Sequence, residues 1–279
     1  MIKNIIKNLH PSYQTLFLEY PVDFKPRHSA PNDPNPHLKK IVEKYHEDYW
    51  NLFDTVIENK DAFREIKYSS DQDIDLVWKN SFFPGLDIVV LYSLIKKYKP
   101  SKILEVGSGT STLVMSKAIK ENNLATKLIS IDPQPRRHID NLVDQSIRMP
   151  LEQTDTSVFA ELDAGDILFI DNSHRAFPNS DVTVFFMEVL PLIKPGVLIH
   201  VHDIYIPFDY PQFMCDRFYN EQYLLATMLL SNPERYQIVS PNYYLYTMMK
   251  DESKFKTFWD FDEKGSIEQH GGSFWFTLF

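Results

Sequence analysis

From Leu38 onward, apolar residues recur at helical spacing: Leu38, Ile41, Val42, Tyr45, Tyr49, Leu52, Phe53 and Val56, with charged residues between them. That pattern predicts one amphipathic helix of about five turns. Padding of a core is the preferred role for its apolar stripe; covering a pocket or contacting a second copy in a homo-oligomer are the alternatives. Ahead of it, Pro21, Pro26, Pro31, Pro34 and Pro36 crowd together with Asn and Asp and predict an irregular arm. A second stripe, Leu86, Val89, Val90 and Leu94, follows Pro84-Gly85 and is stopped by Pro100. Strand patterns then fall at 102–107, 127–132, 166–171 and 196–203, with a weak candidate at 146–149. Helical patterns fall at 111–122, 136–145, 154–162, 180–190 and 219–230. Two last strands are expected, at 236–239 (extendable to 246) and 273–279, around a charged, aromatic excursion at 250–270. Such alternation signals βαβ units and a mainly parallel sheet, an α/β fold.

Composition narrows this picture. The chain has 279 residues, enough for one large domain or a domain with an extension, and 43% hydrophobic with 24% charged residues is ordinary globular composition. A formal net charge of −9 argues against nucleic acid as the main partner, because phosphate backbones call for a basic surface. The single Cys215 excludes an internal disulfide. No apolar run reaches membrane-spanning length, and the opening MIKNIIKNLH is too short and polar for a secretory signal. The expectation is a soluble cytoplasmic protein without a membrane partner.

The densest chemical signal is KILEVGSGTST, residues 102–112. A short apolar strand carrying Glu105 breaks at Gly107-Ser108-Gly109, and a helix follows at once. Glycine lets the main chain approach a ligand closely at a helix N-terminus. A second strand, KLISID, ends in Asp132 about 20 residues further on, where a ribose diol is commonly held. A dinucleotide fingerprint would want glycine at position 112, where Thr112 stands. Glu105 beside the turn is an awkward neighbour for a pyrophosphate and suits a cationic ligand such as S-adenosylmethionine (SAM).

Further along stand NSFFPGLD, SIDPQPR, DILFIDNSH, LPLIKPGVLIHVHDI, NEQYLL and GGSFWF. With EVGSGTST, these segments give the chain from about residue 80 to 279 a resemblance to class I SAM-dependent methyltransferases. The similarity is to a bacterial subgroup of glycan and natural-product pathways, distantly similar to macrocin-type O-methyltransferases. One departure is Ser111, where the general class carries a further glycine. The resemblance implies a Rossmann-like, seven-stranded, mostly parallel sheet with one antiparallel strand and helices on both faces. It divides the chain into an arm and helical extension at 1–79 and a methyltransferase domain at 80–279.

Ligands of open α/β sheets bind beyond the carboxyl ends of the strands. The cofactor residues expected there are Gly107 and Gly109 against the methionine part, Glu105 and Ser108 orienting its polar groups, and Asp132 on the ribose. The class often contacts adenine near Gln153, Thr154 and Asp155. Asp171 at the end of the third strong strand is expected to face both cofactor and acceptor. His174 is the expected base for a hydroxyl proton, a role an imidazole of near-neutral pKa can fill; capping the next helix is its plainer alternative. Period two along a strand predicts His200 and His202 on one face and Asp203 on the other. His202 and Asp203, nearest the strand end, are the better catalytic candidates, and His200 is expected to be a satisfied buried side chain. Macrocin-like relatives hold a divalent ion on strand-end carboxylates; here Asp171, His202 and Asp203 would do so, but a metal-free scheme is preferred.

Phe208, Tyr210, Phe213, Phe218 and Tyr219 could line an acceptor pocket or simply pack. Arg136 and Arg137 are expected only to cap a following helix, and Cys215, beside Asp216, is no thiolate nucleophile. The expected activity is methyl transfer to a hydroxyl of a small-molecule or glycan acceptor. A nicotinamide-dependent oxidoreductase and a SAM-binding protein without catalysis are the competing readings.

Overall fold

A computed structural model describes residues 16–279; the first fifteen residues of the expected arm lie outside the described residues. Seven strands form one sheet in the order β3-β2-β1-β4-β5-β7-β6. These are β1 (Lys102–Val106), β2 (Lys127–Ile131), β3 (Gln145–Ile147), β4 (Ile167–Ile170), β5 (Leu198–Val201), β6 (Tyr236–Pro241) and β7 (Phe274–Leu278). Strands β3, β2, β1, β4 and β5 run parallel, and β7 is antiparallel to both β5 and β6. The central strands are buried on both faces, including every residue of β4 and β5, as a parallel sheet covered by helices requires. This is the class I methyltransferase architecture, with its final antiparallel strand inserted next to β5.

The single helix expected from Leu38 is two: α1 (Pro36–Glu43), capped by the Asn35 side chain, and α2 (His46–Glu58), with α3 (Lys60–Arg64) behind them. Tyr45 leaves helical geometry at the break, and its hydroxyl donates to the Tyr236 carbonyl at 3.0 Å. The apolar stripe nevertheless stays continuous. Leu38, Val42, Tyr49, Phe53 and Val56 are buried in the same apolar cluster as the sheet. Each such burial is worth roughly 1.5–3 kcal/mol, so the stripe is a substantial part of the core. Helix α4 (Gly85–Tyr98) is buried on all sides through Ile95, and α5 (Thr110–Glu121) starts directly from the glycine turn.

Other expectations shift. No helix forms at 136–145: a 3-10 turn occupies Asp140–Leu142, and β3 begins at Gln145. Arg136 and Arg137 therefore cap nothing; Arg136 lies over the Phe82 ring and Arg137 pairs with Asp73. The pattern at 154–162 becomes a 3-10 helix, Thr156–Glu161, and that at 180–190 becomes α6 (Asp181–Val184), running into a π-helical turn at Phe185–Val189. After β5 come α7 (Gln212–Cys215) and α8 (Glu221–Ser231). The chain turns into α9 (Asn242–Met249) directly after β6, and the excursion contains α10 (Ser253–Phe258). No helix among the described residues is long and apolar enough to cross a membrane.

Candidate active site

At the carboxyl ends of β1, β2, β4 and β5 lies a cavity of about 880 Å³. Its lining includes Gly107, Ser108, Asp132, Asp171, His174 and Asp203. The turn after β1 is built around Gly107, whose φ of +80° places it in the left-handed region. A Cβ there would fall 1.9 Å from the Asp171 carbonyl oxygen, so only glycine lets β1 and β4 diverge this tightly. Gly109 has extended φ, and nothing lies within 4 Å of where its Cβ would stand, which leaves open space over the turn.

Asp132 closes the other side. One carboxylate oxygen accepts from both the Ser108 N–H and its hydroxyl at 2.8 Å, and the other accepts from the Gln134 N–H at 2.8 Å. Turn and acid thus form one rigid unit, with lone pairs remaining for a diol. Glu105 does not line the cavity. It lies buried beneath the turn, accepting from Ser111 Oγ at 2.6 Å and Thr112 Oγ1 at 2.7 Å, while Thr112 Oγ1 accepts from the Gly109 N–H. Burial, reinforced by the charges of Asp171 and Asp132, pushes its carboxyl up to about 8 against the pull of those two hydroxyls. Glu105 therefore fastens the loop to the helix instead of presenting a charge. Ser111, the departure from the class pattern, is one of its two fasteners. Gln153, Thr154 and Asp155 stand outside the lining, which runs instead through Pro150, Leu151 and Glu152. Thr154 and Asp155 are engaged locally, with the Pro150 carbonyl and the Ser157 N–H.

Four side chains meet where β4 and β5 end. His174 Nε2 lies 3.5 Å from Asp171 Oδ1 and 3.4 Å from Asp203 Oδ2; His202 Nδ1 lies 3.6 Å from Asp171 Oδ1 and 3.6 Å from Asp203 Oδ1. The expected opposition of His202 and Asp203 fails because β5 ends at Val201. Asp203 takes φ +53°, which swings its carboxylate back beside the His202 ring. His174 is also left-handed, at φ +63°. Such non-glycine conformations cost on the order of 1 kcal/mol and persist where surrounding bonds over-determine them.

Those bonds come from two acids whose importance the sequence did not reveal. Glu221, first residue of α8, accepts from His174 Nδ1 at 3.0 Å, and the His174 carbonyl accepts from the Asn220 N–H at 3.0 Å. Asp87, in the first turn of α4, faces His202 Nε2 at 3.3 Å and accepts from the N–H groups of Gly272 and Ser273 and from Asn242 Nδ2. Both acids are fully buried at helix N-termini, where the helix dipole favours a carboxylate. An acid in the first turn of a helix is commonplace, so only its burial, invisible in a sequence, marks it out.

The electrostatics follow. Burial alone would lower the His174 imidazole, but Glu221, Asp203 and Asp171 outweigh it and raise its pKa. His202 is likewise raised well above its ordinary value, against burial, by Asp171 and Asp203. Burial would raise the Asp171 carboxyl, but the charges of His202 and His174 bring it down to about 2. His200 stays apart: it is fully buried, bonded to Ser273 Oγ at 2.8 Å and stacked on Phe169 at 3.7 Å, and desolvation holds it well below its usual pKa. Phe213 and Tyr219 line the cavity, whereas Phe208 and Tyr210 are buried behind it and Phe218 packs edge-on against Phe24. Cys215 is buried, and desolvation raises its thiol.

A divalent ion does not fit these donors. Asp171 Oδ1 and both Asp203 oxygens already lie 3.4–3.6 Å from imidazole nitrogens. Among the described residues, no three His, Cys, Asp or Glu side chains are arranged to hold a metal. Hard ions also prefer all-oxygen shells. SAM does fit. The space over Gly109 is open, and Asp132 stands at the turn in the same lining.

The sheet order and the cavity at its strand ends agree with the resemblance to class I SAM-dependent methyltransferases. Residues 104–204 match the family model described as a methyltransferase domain, and the chain carries such a domain. None of the curated proteins matches the chain. Among solved structures, it is similar to the S-adenosylhomocysteine-bound methyltransferase PaMTH1 of Podospora anserina, at 13% identity over 81% of this chain and 88% of that one, TM-score 0.43. An O-methyltransferase of Bacillus cereus with S-adenosylhomocysteine aligns at 14% identity over 82% and 91%, TM-score 0.41. The MycE methyltransferase of the mycinamycin pathway, with magnesium and S-adenosylhomocysteine, aligns at 20% over 53% and 44%, TM-score 0.34. At these identities the likenesses concern the fold alone.

Proposed function

We propose that this protein methylates a hydroxyl group of a small-molecule or glycan acceptor, with His174 as the proton acceptor. The observation that carries this reading is the Glu221–His174 pair, opening on the same cavity as Asp132 and the Gly107 turn. When bound, SAM supplies an electrophilic methyl carbon. Asp132 would hold the ribose hydroxyls, the Gly107–Gly109 turn would pack on the methionine part, and Leu151 with Glu152 would flank the base. Glu221 fixes the His174 ring through Nδ1, which leaves Nε2 toward the cavity to take the acceptor's proton as oxygen attacks. The acceptor's proton would end on Nε2 of His174. Asp171 and Asp203 stabilise the resulting imidazolium. Among the described residues, 36–79 are read as an extension that packs on the domain.

The test is transfer of labelled methyl from SAM to a panel of hydroxylated sugars and phenols, beside an NAD(P)H binding titration. Methyl ethers formed only with active His174 support the reading. Saturable NAD(P)H binding without SAM binding would overturn it in favour of a nicotinamide enzyme.

A further inference from the structure

The cavity lining mixes acids, among them Asp132, Asp171, Asp181 and Asp203, with arginines. Arg136, Arg175 and Arg217 all belong to the lining. Among the described residues, Arg64, Arg137 and Arg148 are paired with aspartates, whereas these three lining arginines, like Arg27 and Arg235 elsewhere, have no carboxylate partner. Arg136 follows β2, on the Asp132 side, and covers Phe82. Arg175 and Arg217 follow β4 and β5, on the side of His174.

These two form a preset pair. Arg175 Nε donates to the Arg217 carbonyl at 2.8 Å and its Nη1 to the Ser173 carbonyl at 2.9 Å, which fixes the guanidinium plane and leaves Nη2 free. Both guanidinium carbons stand 5.0 Å from the Tyr219 ring centroid. The same ring stacks on His174 at 4.7 Å. One tyrosine therefore separates two uncompensated cations from the proposed base.

We propose that the methyl acceptor is an anion whose phosphate or carboxylate group is held by Arg175 and Arg217. The inference rests on reading the cavity as the methyl-transfer site. Arg175 Nη2, held in place by the two carbonyl bonds, and the Arg217 guanidinium can each donate to an oxyanion, and such charge-assisted bonds are about twice as strong as neutral ones. A neutral acceptor would cover both cations without compensating either. An anionic one, anchored at Tyr219, would bring an adjacent hydroxyl toward His174, while the acids of the lining favour the positive methyl donor.

The experiment loads the full chain with S-adenosylhomocysteine and titrates it with inorganic phosphate, D-glucuronate and, as the neutral control, D-glucose. Calorimetry and the Nε–H resonances of Arg175 and Arg217 are followed. Saturable binding of at least one anion but not of glucose is expected, the stronger anion identifying phosphate or carboxylate chemistry. Arg175→Gln with Arg217→Gln should weaken anion binding about tenfold or more, while S-adenosylhomocysteine affinity stays within about threefold. The proposal is overturned if neither anion saturates below about 50 mM, if glucose binds equally well, or if the double variant binds anions unchanged. A large loss of S-adenosylhomocysteine affinity in that variant would also overturn it, by assigning the arginines to the donor's own carboxylate. Failure of the unsubstituted protein to bind S-adenosylhomocysteine would instead remove the reading of the cavity itself.

Discussion

Two histidines face the same pair of aspartates, yet they are held in different ways. His202 is clamped by Asp87, which also accepts from Gly272, Ser273 and Asn242 and so ties α4 to β7 and α9. His174 Nδ1 is held by Glu221, which, unlike Asp87, gathers no backbone N–H donors. The first pair is built into the fold, with the acid saturated by donors from three segments. The second leaves its imidazole less constrained, under a Tyr219 ring that reaches the cavity rim. Similar chemistry thus divides into a structural pair and a pair that can exchange a proton.

The comparison breaks first at Asp87. Asp87→Ala leaves His202 and three further donors unpaired in a dry interior, a loss on the order of 3–5 kcal/mol in denaturant unfolding. Glu221→Gln, which keeps the shape and loses one acceptor charge, should cost less than half of that. If the two variants unfold alike, the division between the pairs is wrong.

His174→Ala separates catalysis from folding. Methyl transfer to any acceptor used by the native enzyme should fall about 10²- to 10⁴-fold, with S-adenosylhomocysteine affinity nearly unchanged. Because Glu221 and the aspartates raise the His174 pKa, the native enzyme should gain kcat/KM as pH rises through that value and the imidazole becomes neutral. Glu221→Gln removes one of those stabilising charges, so its rising limb should shift to lower pH. A limb that stays in place would take Glu221 out of the mechanism.

Glu105 gives a pH dependence with a sign. Its carboxyl rises from an ordinary value of 4.5 to about 8 in the fold. The folded chain thus holds a proton that the unfolded chain has lost between those values. Stability should therefore fall as pH rises across that window and level off above about 8. Glu105→Gln should flatten this slope in chemical unfolding followed from pH 5 to 9, and an unchanged slope would mean that the acid is ionised beneath the turn.

The sheet and the β1 turn were legible because each depends on local pattern: apolar runs, Gly107, and an acid closing the next strand. The cluster at His174, His202, Asp171 and Asp203 was legible by residue, through the rule that ligands gather at strand ends. Its geometry was not. Asp203 lies beside His202 because its backbone turns left-handed, which no alternation rule predicts. Asp87 and Glu221 reach the site from 115 and 47 residues away from their imidazole partners as neighbours made by the fold, a relation that spacing along the chain does not encode. Gln153 was placed by class habit, and the lining passes one residue before it, at Leu151 and Glu152.

The central claim is that the turn after β1 and Asp132 together hold an adenosine-bearing methyl donor. Isothermal titration of S-adenosylhomocysteine into the native protein and Asp132→Ala tests it most directly. The account predicts saturable one-site binding by the native chain and affinity at least about tenfold weaker in the variant, the loss expected for a charged hydrogen-bonding partner. No binding by the native chain, or equal binding by both, would contradict it.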